Sequence, residues 1–283
     1  MTADLHTHST ASDGTFTPTK LVEAAHSLGI SLLALTDHDT TAGVSEALAA
    51  ARRLGMGFLP GVELSAEGPP GKCHLLGLGI DPNYPCLIET LRQLSQKRHE
   101  RNLKIVGRLN ALGITITMED VVAHAPQGAN IGRPHFAATL VALGAVADTK
   151  EAFARYLGDE AAANVEKETL SPAEAIALVH EAGGLCFLAH PGLLRRSQHE
   201  THESRVRALT ALGLDGIEAY YSSYTPANEA FFLRLAEKLG LLVTGGSDFH
   251  GANKPDVPLG VVRDGQPLEL TLLPSRLRAL AVA

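Results

Sequence analysis

Short apolar or β-branched segments alternate with longer amphipathic segments along most of this 283-residue chain. Such alternation is typical of repeated β-α units. It predicts seven strands, near Ala3–His6, Leu32–Thr36, Phe58–Glu63, His74–Gly79, Leu185–Ala189, Gly216–Ala219 and Leu242–Gly245. It also predicts helices at Thr17–Leu28, Thr41–Leu54, Ser171–Ala182, Ser204–Leu212 and Pro226–Leu239. Because one α/β barrel commonly occupies a chain of this length, we expect a single barrel as the main domain.

The segment Cys86–Glu168 interrupts this rhythm, because it is mostly helical by pattern and offers no clear strand. We interpret it as an insertion that caps the barrel. The predicted domains are therefore a barrel formed by residues 1–85 and 169–283 and a helical insertion at residues 86–168. Within the insertion, the stretch Ala145–Glu168 is rich in Ala, Asp, Glu and Lys and is interpreted as a solvated helical face.

The chain carries 24 Lys and Arg against 31 Asp and Glu, a net charge of −7. This overall field opposes binding to nucleic acid or to an anionic membrane, so we expect no stable nucleic-acid or membrane partner. Any phosphate contact must come from a local basic cluster or from metal ions. No run reaches the roughly 18 apolar residues that a membrane span needs. With three cysteines in no pairing pattern, we expect a cytoplasmic protein.

Histidines and carboxylates recur where the predicted strands end. The first strand runs into Asp4-Leu5-His6-Thr7-His8, and two histidines spaced i and i+2 on an extended segment point the same way, so both can reach one ion. Most of the other clusters also follow a strand, at the end where barrel enzymes assemble their sites. The residues of these clusters include His6, His8, Asp13, Asp37, His38, Asp39, Glu63, His74, His190, Asp248 and His250.

Each of these residues, taken alone, has an ordinary structural explanation. Asp13 stands in Ser12-Asp13-Gly14 and could form only a turn. Asp37 or Asp39 could cap the helix that follows them. The recurrence of such residues at successive strand ends favours one shared metal site over many separate structural roles.

The order His-x-His, Asp-Gly-Thr, Thr-Asp-His-Asp, Gly-Val-Glu, His-Pro and Ser-Asp-Phe-His resembles the polymerase and histidinol phosphatase (PHP) family. The resemblance covers nearly the whole chain and implies a distorted seven-stranded (β/α)7 barrel with a helical insertion over the active-site mouth. It also implies three ion sites, with ligands His6, His8, Glu63 and Asp248; Glu63, His74 and His190; and Asp13, His38 and His250. One position departs from the expected geometry, since His74 begins its predicted strand; either that strand is antiparallel or its boundary differs.

Ligands of only nitrogen and oxygen suit Mn²⁺, Zn²⁺ or Fe²⁺. We expect two to three ions per chain, with Mn²⁺ as the first choice and Zn²⁺, Fe²⁺ or Mg²⁺ as alternatives. Divalent ions lower the pKa of bound water from about 15.7 towards 7, so the chemistry needs no protein nucleophile. The residues expected to be catalytic are Asp248, Glu63 and His190.

Two basic clusters in the insertion are candidates for phosphate recognition. They are Lys97-Arg98-His99-Glu100-Arg101-Asn102 and Gly132-Arg133-Pro134-His135. An arginine offers a planar fork matched to phosphate, and positions 98, 101 and 102 share a helical face by their spacing. The expected substrate contacts are Asp13, His38, Arg98, His99, Arg101, Asn102, Arg133, Pro134 and His135. Lys97 and Glu100 are interpreted as solvated, and Arg195 and Arg196 are weaker candidates.

The details of Ala11-Ser12-Asp13-Gly14-Thr15 and of Leu35-Thr36-Asp37-His38-Asp39-Thr40 look most like a bacterial branch of the family. That branch implies hydrolysis of the 3'-phosphate of nucleoside 3',5'-bisphosphates to 5'-nucleotides, with short RNA 5' ends as further substrates. Two alternatives stay open. A histidinol-phosphate phosphatase would use the same ions on a smaller amine-bearing substrate, and a noncatalytic metal-binding scaffold would belong to another functional class.

Overall fold

Eight strands form one sheet in the computed structural model, which describes residues 1–126, 129–194 and 200–282. Their order across the sheet is β7-β6-β5-β4-β3-β2-β1-β8. The strands are β1 (Thr2–Asp4), β2 (Ile30–Leu35), β3 (Gly57–Ala66), β4 (Cys73–Leu78), β5 (Leu185–Leu188), β6 (Gly216–Tyr221), β7 (Leu242–Gly246) and β8 (Leu268–Glu269). The predicted α/β barrel is thus confirmed, with boundaries within three residues of those expected.

The sheet curves into a nearly closed barrel because its first and seventh strands meet. Beyond the end of β1, Leu5 N–H donates to Gly245 O at 3.2 Å and Asp248 N–H donates to His6 O at 2.8 Å. Neighbouring strands run parallel from β1 to β3 and again from β5 to β7. Parallel strands end at the same rim, so the loops that follow them assemble on one face of the barrel.

Two features of the sheet differ from the simple seven-stranded prediction. The strand count is eight, because Leu268 and Glu269 pair antiparallel with Ala3 and Thr2. This two-residue strand was missed because it is too short to show an alternating pattern. The fourth strand, β4, runs antiparallel to both β3 and β5. The start of β4 therefore lies on the same rim as the ends of its neighbours.

Helices in the described chain begin and end where local chemistry favours it. Thr17 and Ser171 accept hydrogen bonds from backbone N–H groups in the first turn, and each precedes a proline at the first helical position. Gly55 and Gly240 end their helices in the left-handed conformation, with φ of 63° and 68°.

The barrel helices are α1 (Pro18–Ser27), α2 (Val44–Leu54), α7 (Pro172–Glu181), α8 (His202–Ala211), α9 (Pro226–Leu239) and α10 (Ser275–Arg278).

Between β4 and α7 the described residues form helices and loops, with no strand. The helices are α3 (Pro85–Ala111), α4 (Met118–Ala123), α5 (Arg133–Ala142) and α6 (Thr149–Ala152), the last continuing into a π-helical turn (Phe153–Leu157). This segment has its own hydrophobic core, built around Ile105, Leu109, Phe136 and Leu140. None of the helices in the described ranges is long and apolar enough to span a membrane.

Candidate active site

The nine predicted metal ligands converge at one mouth of the barrel, and every strand from β1 to β7 except β6 supplies or precedes at least one. Their coordinating atoms form four overlapping groups, and within each group the atoms lie within 4.8 Å of one another. The groups are His8, Asp13, His38 and His250; His6, His8 and Asp248; His6, Glu63 and His190; and His38, Glu63 and His74. The fold thus brings together all nine residues.

Glu63 lies at the centre of this cluster and is fully buried. Its Oε1 lies 2.9 Å from His74 Nδ1 and 3.1 Å from His190 Nε2. Its Oε2 lies 3.2 Å from Nε2 of both His6 and His8. One carboxylate on β3 therefore faces candidate ligands from three other parts of the barrel rim.

Several buried polar atoms of the cluster have no hydrogen-bond partner within the described chain. They are His6 Nε2, both ring nitrogens of His8, Glu63 Oε2, His74 Nδ1 and His190 Nδ1. A buried polar atom without a partner is destabilising, and bound cations would satisfy most of these atoms. Imidazole nitrogens with carboxylate oxygens are a donor set that suits Mn²⁺, Zn²⁺ and Fe²⁺. The residues present therefore fit a divalent metal centre.

His74 lies at this mouth because of the direction of its strand. It is the second residue of β4, so in a parallel strand it would lie at the opposite rim. Since β4 is antiparallel to β3, His74 faces Glu63 instead. In the sequence, His74 stood at the start of its predicted strand instead of at its end. The direction of β4 explains this position, and the predicted boundary was not at fault.

Charges within the cluster shift the pKa values of its members in opposite directions. Burial lowers the pKa of His8, but Asp248 and Glu63 outweigh burial and raise that pKa to about 9. Burial holds the pKa of His38 down at about 3, although Glu63 and Asp13 oppose it. Burial also opposes ionisation of Asp13, yet nearby imidazoles hold its pKa well below the usual range. The carboxylate of the candidate ligand Asp13 thus stays ionised at neutral pH, the state that can bind a cation.

Tyr221 and Lys254 contact Asp248 and were not identified as functional from the sequence. Tyr221 Oη donates to Asp248 Oδ2 at 2.7 Å, and Lys254 Nζ donates to the same oxygen at 2.6 Å. The other oxygen, Oδ1, lies 3.3 Å from His8 Nε2 and 3.5 Å from His6 Nε2. Asp248 therefore turns one oxygen to the histidine cluster while two side chains fix the other.

His190 and Asp248 hold left-handed backbone conformations, with φ of 29° and 60°. Side-chain-bearing residues rarely adopt such angles, and the cost is of order 1–3 kcal/mol each. Strain of this kind persists where the surrounding structure fixes the residue. Both residues are among those predicted to be catalytic.

Three buried aspartates each accept hydrogen bonds from the backbone N–H and the hydroxyl of a serine on a neighbouring segment. The pairs are Asp4 with Ser247, Asp37 with Ser9 and Asp39 with Ser65, at distances of 2.6–3.0 Å. Every one of these serines lies within two residues of a predicted ligand. Asp37 and Asp39 therefore tie adjacent segments together and do not cap α2, whose N-cap is Gly43.

A cavity of 660 Å³ extends from the metal-ligand cluster to the helical segment. At one end it is lined by the predicted ligands Asp13, His38, His74 and His190. Elsewhere it is lined by residues of the two basic clusters, Arg98, Arg101, Arg133 and Pro134. The fold therefore places members of both groups of predicted residues in one cavity.

The arginines at this cavity are held in different ways. Arg101 is buried and donates through Nε to Val165 O and through Nη1 to Asn102 Oδ1, both neutral acceptors. Burial lowers the pKa of Arg101 to about 10, with the positive charge of Arg133 and Arg98 adding to the effect. Arg101 is still charged at neutral pH, and an anion in the cavity would relieve the repulsion between the guanidinium groups.

Lys167 also lines this cavity, although its segment was interpreted as solvated. Its Nζ donates to Ser65 Oγ at 2.6 Å and to Asp39 Oδ2, which Arg98 contacts as well. The interpretation of Ala145–Glu168 as a solvated face is therefore wrong for this part. A lysine in a polar, alanine-rich stretch carries no sequence signal of a contact made 102 residues away.

The other predicted substrate contacts lie in several environments. His99 is exposed and borders a second cavity of 550 Å³, which the buried Asn102 also lines. His135 is buried and accepts a backbone hydrogen bond at Nδ1, which fixes the start of α5. Arg195 and Arg196 fall outside the described residues.

Comparisons with known proteins cover both halves of the barrel. The PHP domain model matches residues 4–126. A 3',5'-nucleoside bisphosphate phosphatase of Chromobacterium violaceum is 36% identical over 94% of this chain and 93% of its own length. A 5'-3' exoribonuclease of Haemophilus influenzae is 35% identical over 94% of each protein. A crystal structure from Bifidobacterium adolescentis, titled as a metal-dependent phosphoesterase, has a TM-score of 0.87 at 34% identity, covering 99% of this chain and 96% of that one.

The segment matched by the family model, residues 4–126, contains the first six candidate ligands, from His6 to His74. The full-length relatives extend the similarity over the second half of the barrel, which holds the remaining three. Sequence motifs, fold and relatives therefore lead to one assignment. This chain belongs to the PHP domain family.

Proposed function

We propose that this protein hydrolyses the 3'-phosphate of nucleoside 3',5'-bisphosphates to give 5'-nucleotides, using two to three divalent ions with Mn²⁺ as the first choice. One observation carries the proposal. A single cavity connects a cluster of nine candidate metal ligands to a second group of cationic side chains. A substrate with two phosphates matches a cavity with two places for anions.

The metal-ligand cluster is proposed to receive the scissile phosphate. When bound, divalent ions supply a nucleophilic water and neutralise the phosphate oxygens. Within the chain, Glu63 would be a ligand of the bound ions, and Asp248 would accept a proton from the attacking water. His190 would be a metal ligand held by a rigid backbone, and in that position it would help to orient the phosphate. These roles explain why the three residues are buried or conformationally strained.

The cationic end is proposed to hold the second phosphate. The charge of Arg98 and Lys167 is partly neutralised by Asp39, and Arg133 pairs with Asp159 at 2.8 Å. The guanidinium of Arg101 is hydrogen-bonded to neutral groups, as described above. Arg101 is therefore the cation best placed to gain from an incoming anion. We propose that residues 86–168 act as a cap whose function is to supply this end of the cavity.

The relatives support the nucleotide class of substrate, because one is named for nucleoside bisphosphates and the other for 5'-3' cleavage of RNA. Short RNA 5' ends are the second candidate substrate. The 550 Å³ cavity adjoins the first through Arg98 and Asn130, which line both. A longer chain could extend there, whereas a mononucleotide would leave it empty.

Histidinol phosphate fits the cavity less well than a nucleotide does. Its ammonium group would meet Arg98, Arg101, Arg133 and Lys167, and like charges in a partly buried site repel. A noncatalytic scaffold is also disfavoured, because the structure brings all nine candidate ligands together. Loss of a ligand would have favoured that alternative.

A phosphate-release screen of the Mn²⁺-loaded protein tests this function. The panel comprises nucleoside 3',5'-bisphosphates, 3'- and 5'-monophosphates, short 5'-phosphorylated RNAs and histidinol phosphate. We expect kcat/KM to be highest for the bisphosphates and to exceed that for either monophosphate at least tenfold. A preference for histidinol phosphate over every nucleotide would contradict the proposal.

A further inference from the structure

Glu218 is a fully buried carboxylate on β6 that contacts two of the candidate metal ligands. Its Oε1 lies 3.0 Å from His6 Nδ1. Its Oε2 accepts the backbone N–H of His190 at 2.7 Å. β6 contributes no candidate ligand of its own, yet through Glu218 it contacts candidate ligands that follow β1 and β5.

The contact with His6 determines which ring nitrogen can bind a metal ion. A carboxylate oxygen accepts hydrogen bonds, so this contact favours the ring form in which His6 Nδ1–H is the donor. In the neutral ring, Nε2 then keeps its lone pair. His6 Nε2 is the atom that lies 3.2 Å from Glu63 Oε2 and 3.5 Å from Asp248 Oδ1. The contact with Glu218 therefore leaves His6 Nε2 free to bind a metal ion at the barrel mouth.

The contact with His190 acts on the backbone rather than on the ring. His190 has a φ of 29°, which a histidine does not adopt without support from its surroundings. The hydrogen bond from its N–H to Glu218 supplies such support at the strained residue itself. The rings of His190 and His6 are stacked, with centroids 5.7 Å apart, so one carboxylate contacts two residues whose imidazoles are neighbours.

We propose that Glu218 is a positioning residue that orients His6 and His190 for metal binding through its two carboxylate oxygens. The inference rests on metal binding at this mouth and not on the identity of the substrate. Hydrogen bonds from carboxylates to metal-binding histidines commonly contribute 10–100-fold to metal affinity. We expect a contribution of that size from Glu218.

The variant Glu218→Gln tests this role, because it keeps the shape of the side chain and removes one acceptor. An amide has one oxygen, so it cannot accept from both His6 Nδ1–H and His190 N–H. Competition with a chelator should show Mn²⁺ binding at least tenfold weaker than in the parent. The matched control is Glu229→Gln on α9. This variant loses a carboxylate that pairs with Arg263, and it should bind Mn²⁺ as the parent does. A Glu218→Gln protein with the parent's affinity would overturn the proposal.

A measurement on the unmodified protein decides the question even if the variant does not fold. In the Zn²⁺-loaded parent, ¹⁵N-histidine NMR should show His6 protonated at Nδ1 and coordinated through Nε2. The Nδ1 proton should be shifted downfield by its hydrogen bond to a carboxylate. Coordination of His6 through Nδ1 would overturn the role of Glu218. Because no substrate is used, this outcome is independent of the phosphatase assay.

Discussion

Ser65 and His74 lie opposite each other on the antiparallel strands β3 and β4. His74 faces Glu63 in the metal-ligand cluster, while Ser65 accepts a hydrogen bond from Lys167 in the cationic group. Two paired residues, one on β3 and one on β4, therefore belong to opposite ends of the cavity. A rigid sheet fixes their separation, as recognition of two phosphates on one nucleoside requires.

Metal content is the first testable consequence of the ligand cluster. Nine donors exceed the four to six that one ion usually takes, so the purified protein should contain two to three equivalents of divalent metal. Treatment with a chelator should abolish hydrolysis, and added Mn²⁺ should restore it. Elemental analysis that finds at most one ion per chain in a fully active preparation would contradict the arrangement.

Replacement of Asp248 by Asn should lower kcat by orders of magnitude while leaving the fold intact. A neutral amide cannot balance the charge of the ions or accept a proton from the attacking water. The matched control is Asp256→Asn, an exposed residue in the same loop region, which should keep parental activity. Steady-state kinetics with circular dichroism checks both variants. Normal turnover by Asp248→Asn would place Asp248 outside the catalytic centre.

Loss of a single cationic side chain should affect the bisphosphate more than a small substrate. A charge-assisted hydrogen bond contributes roughly 1.5–3 kcal/mol, so Arg101→Ala or Arg133→Ala should lower kcat/KM for a bisphosphate about tenfold to a hundredfold. The same variants should hydrolyse p-nitrophenyl phosphate at nearly the parent rate. Arg155→Ala, which removes an exposed arginine paired with Glu151, is the control. Equal losses on both substrates would argue against a second phosphate site.

The pH dependence of nucleotide binding should report on Lys167. Burial lowers its pKa from 10.5 to about 8; Asp39 opposes this effect, and Arg98 adds to it. Lys167 is therefore charged below pH 8 and becomes neutral above it, while the phosphate of a 5'-nucleotide is already fully ionised from about pH 7. Affinity of the metal-free protein for a 5'-nucleotide should fall about tenfold between pH 7 and 9.5.

The variant Lys167→Arg provides the control for this prediction, because arginine stays charged over the whole range. Titration calorimetry should show a much flatter pH profile for the variant than for the parent. Identical profiles for the two proteins would mean that Lys167 does not contact the bound nucleotide.

The convergence of the candidate ligands could be predicted because these residues stand beside strand ends, where local pattern determines position. His6 and His8 follow β1, and Asp248 and His250 follow β7. Once the strands are recognised, the barrel brings their ends together. The role of His74 needed one more fact, the direction of β4, which short apolar runs do not encode.

Residues outside the candidate ligand set that contact its members or line the cavity were not predicted. Glu218 and Tyr221 lie within β6, where a glutamate or tyrosine is compatible with an ordinary strand. Lys167 contacts Asp39 across 128 positions of sequence. In each case the contact exists only after the chain has folded, so no local spacing reveals it.

The position of the phosphate that is released tests the central claim most directly. Adenosine 3',5'-bisphosphate incubated with the Mn²⁺-loaded protein should give adenosine 5'-monophosphate and inorganic phosphate. The reaction can be monitored by ³¹P NMR. This product is the one expected if the 3'-phosphate reaches the candidate metal ligands while the 5'-phosphate lies at the cationic end. Accumulation of adenosine 3'-monophosphate, or no release from either position, would contradict the account.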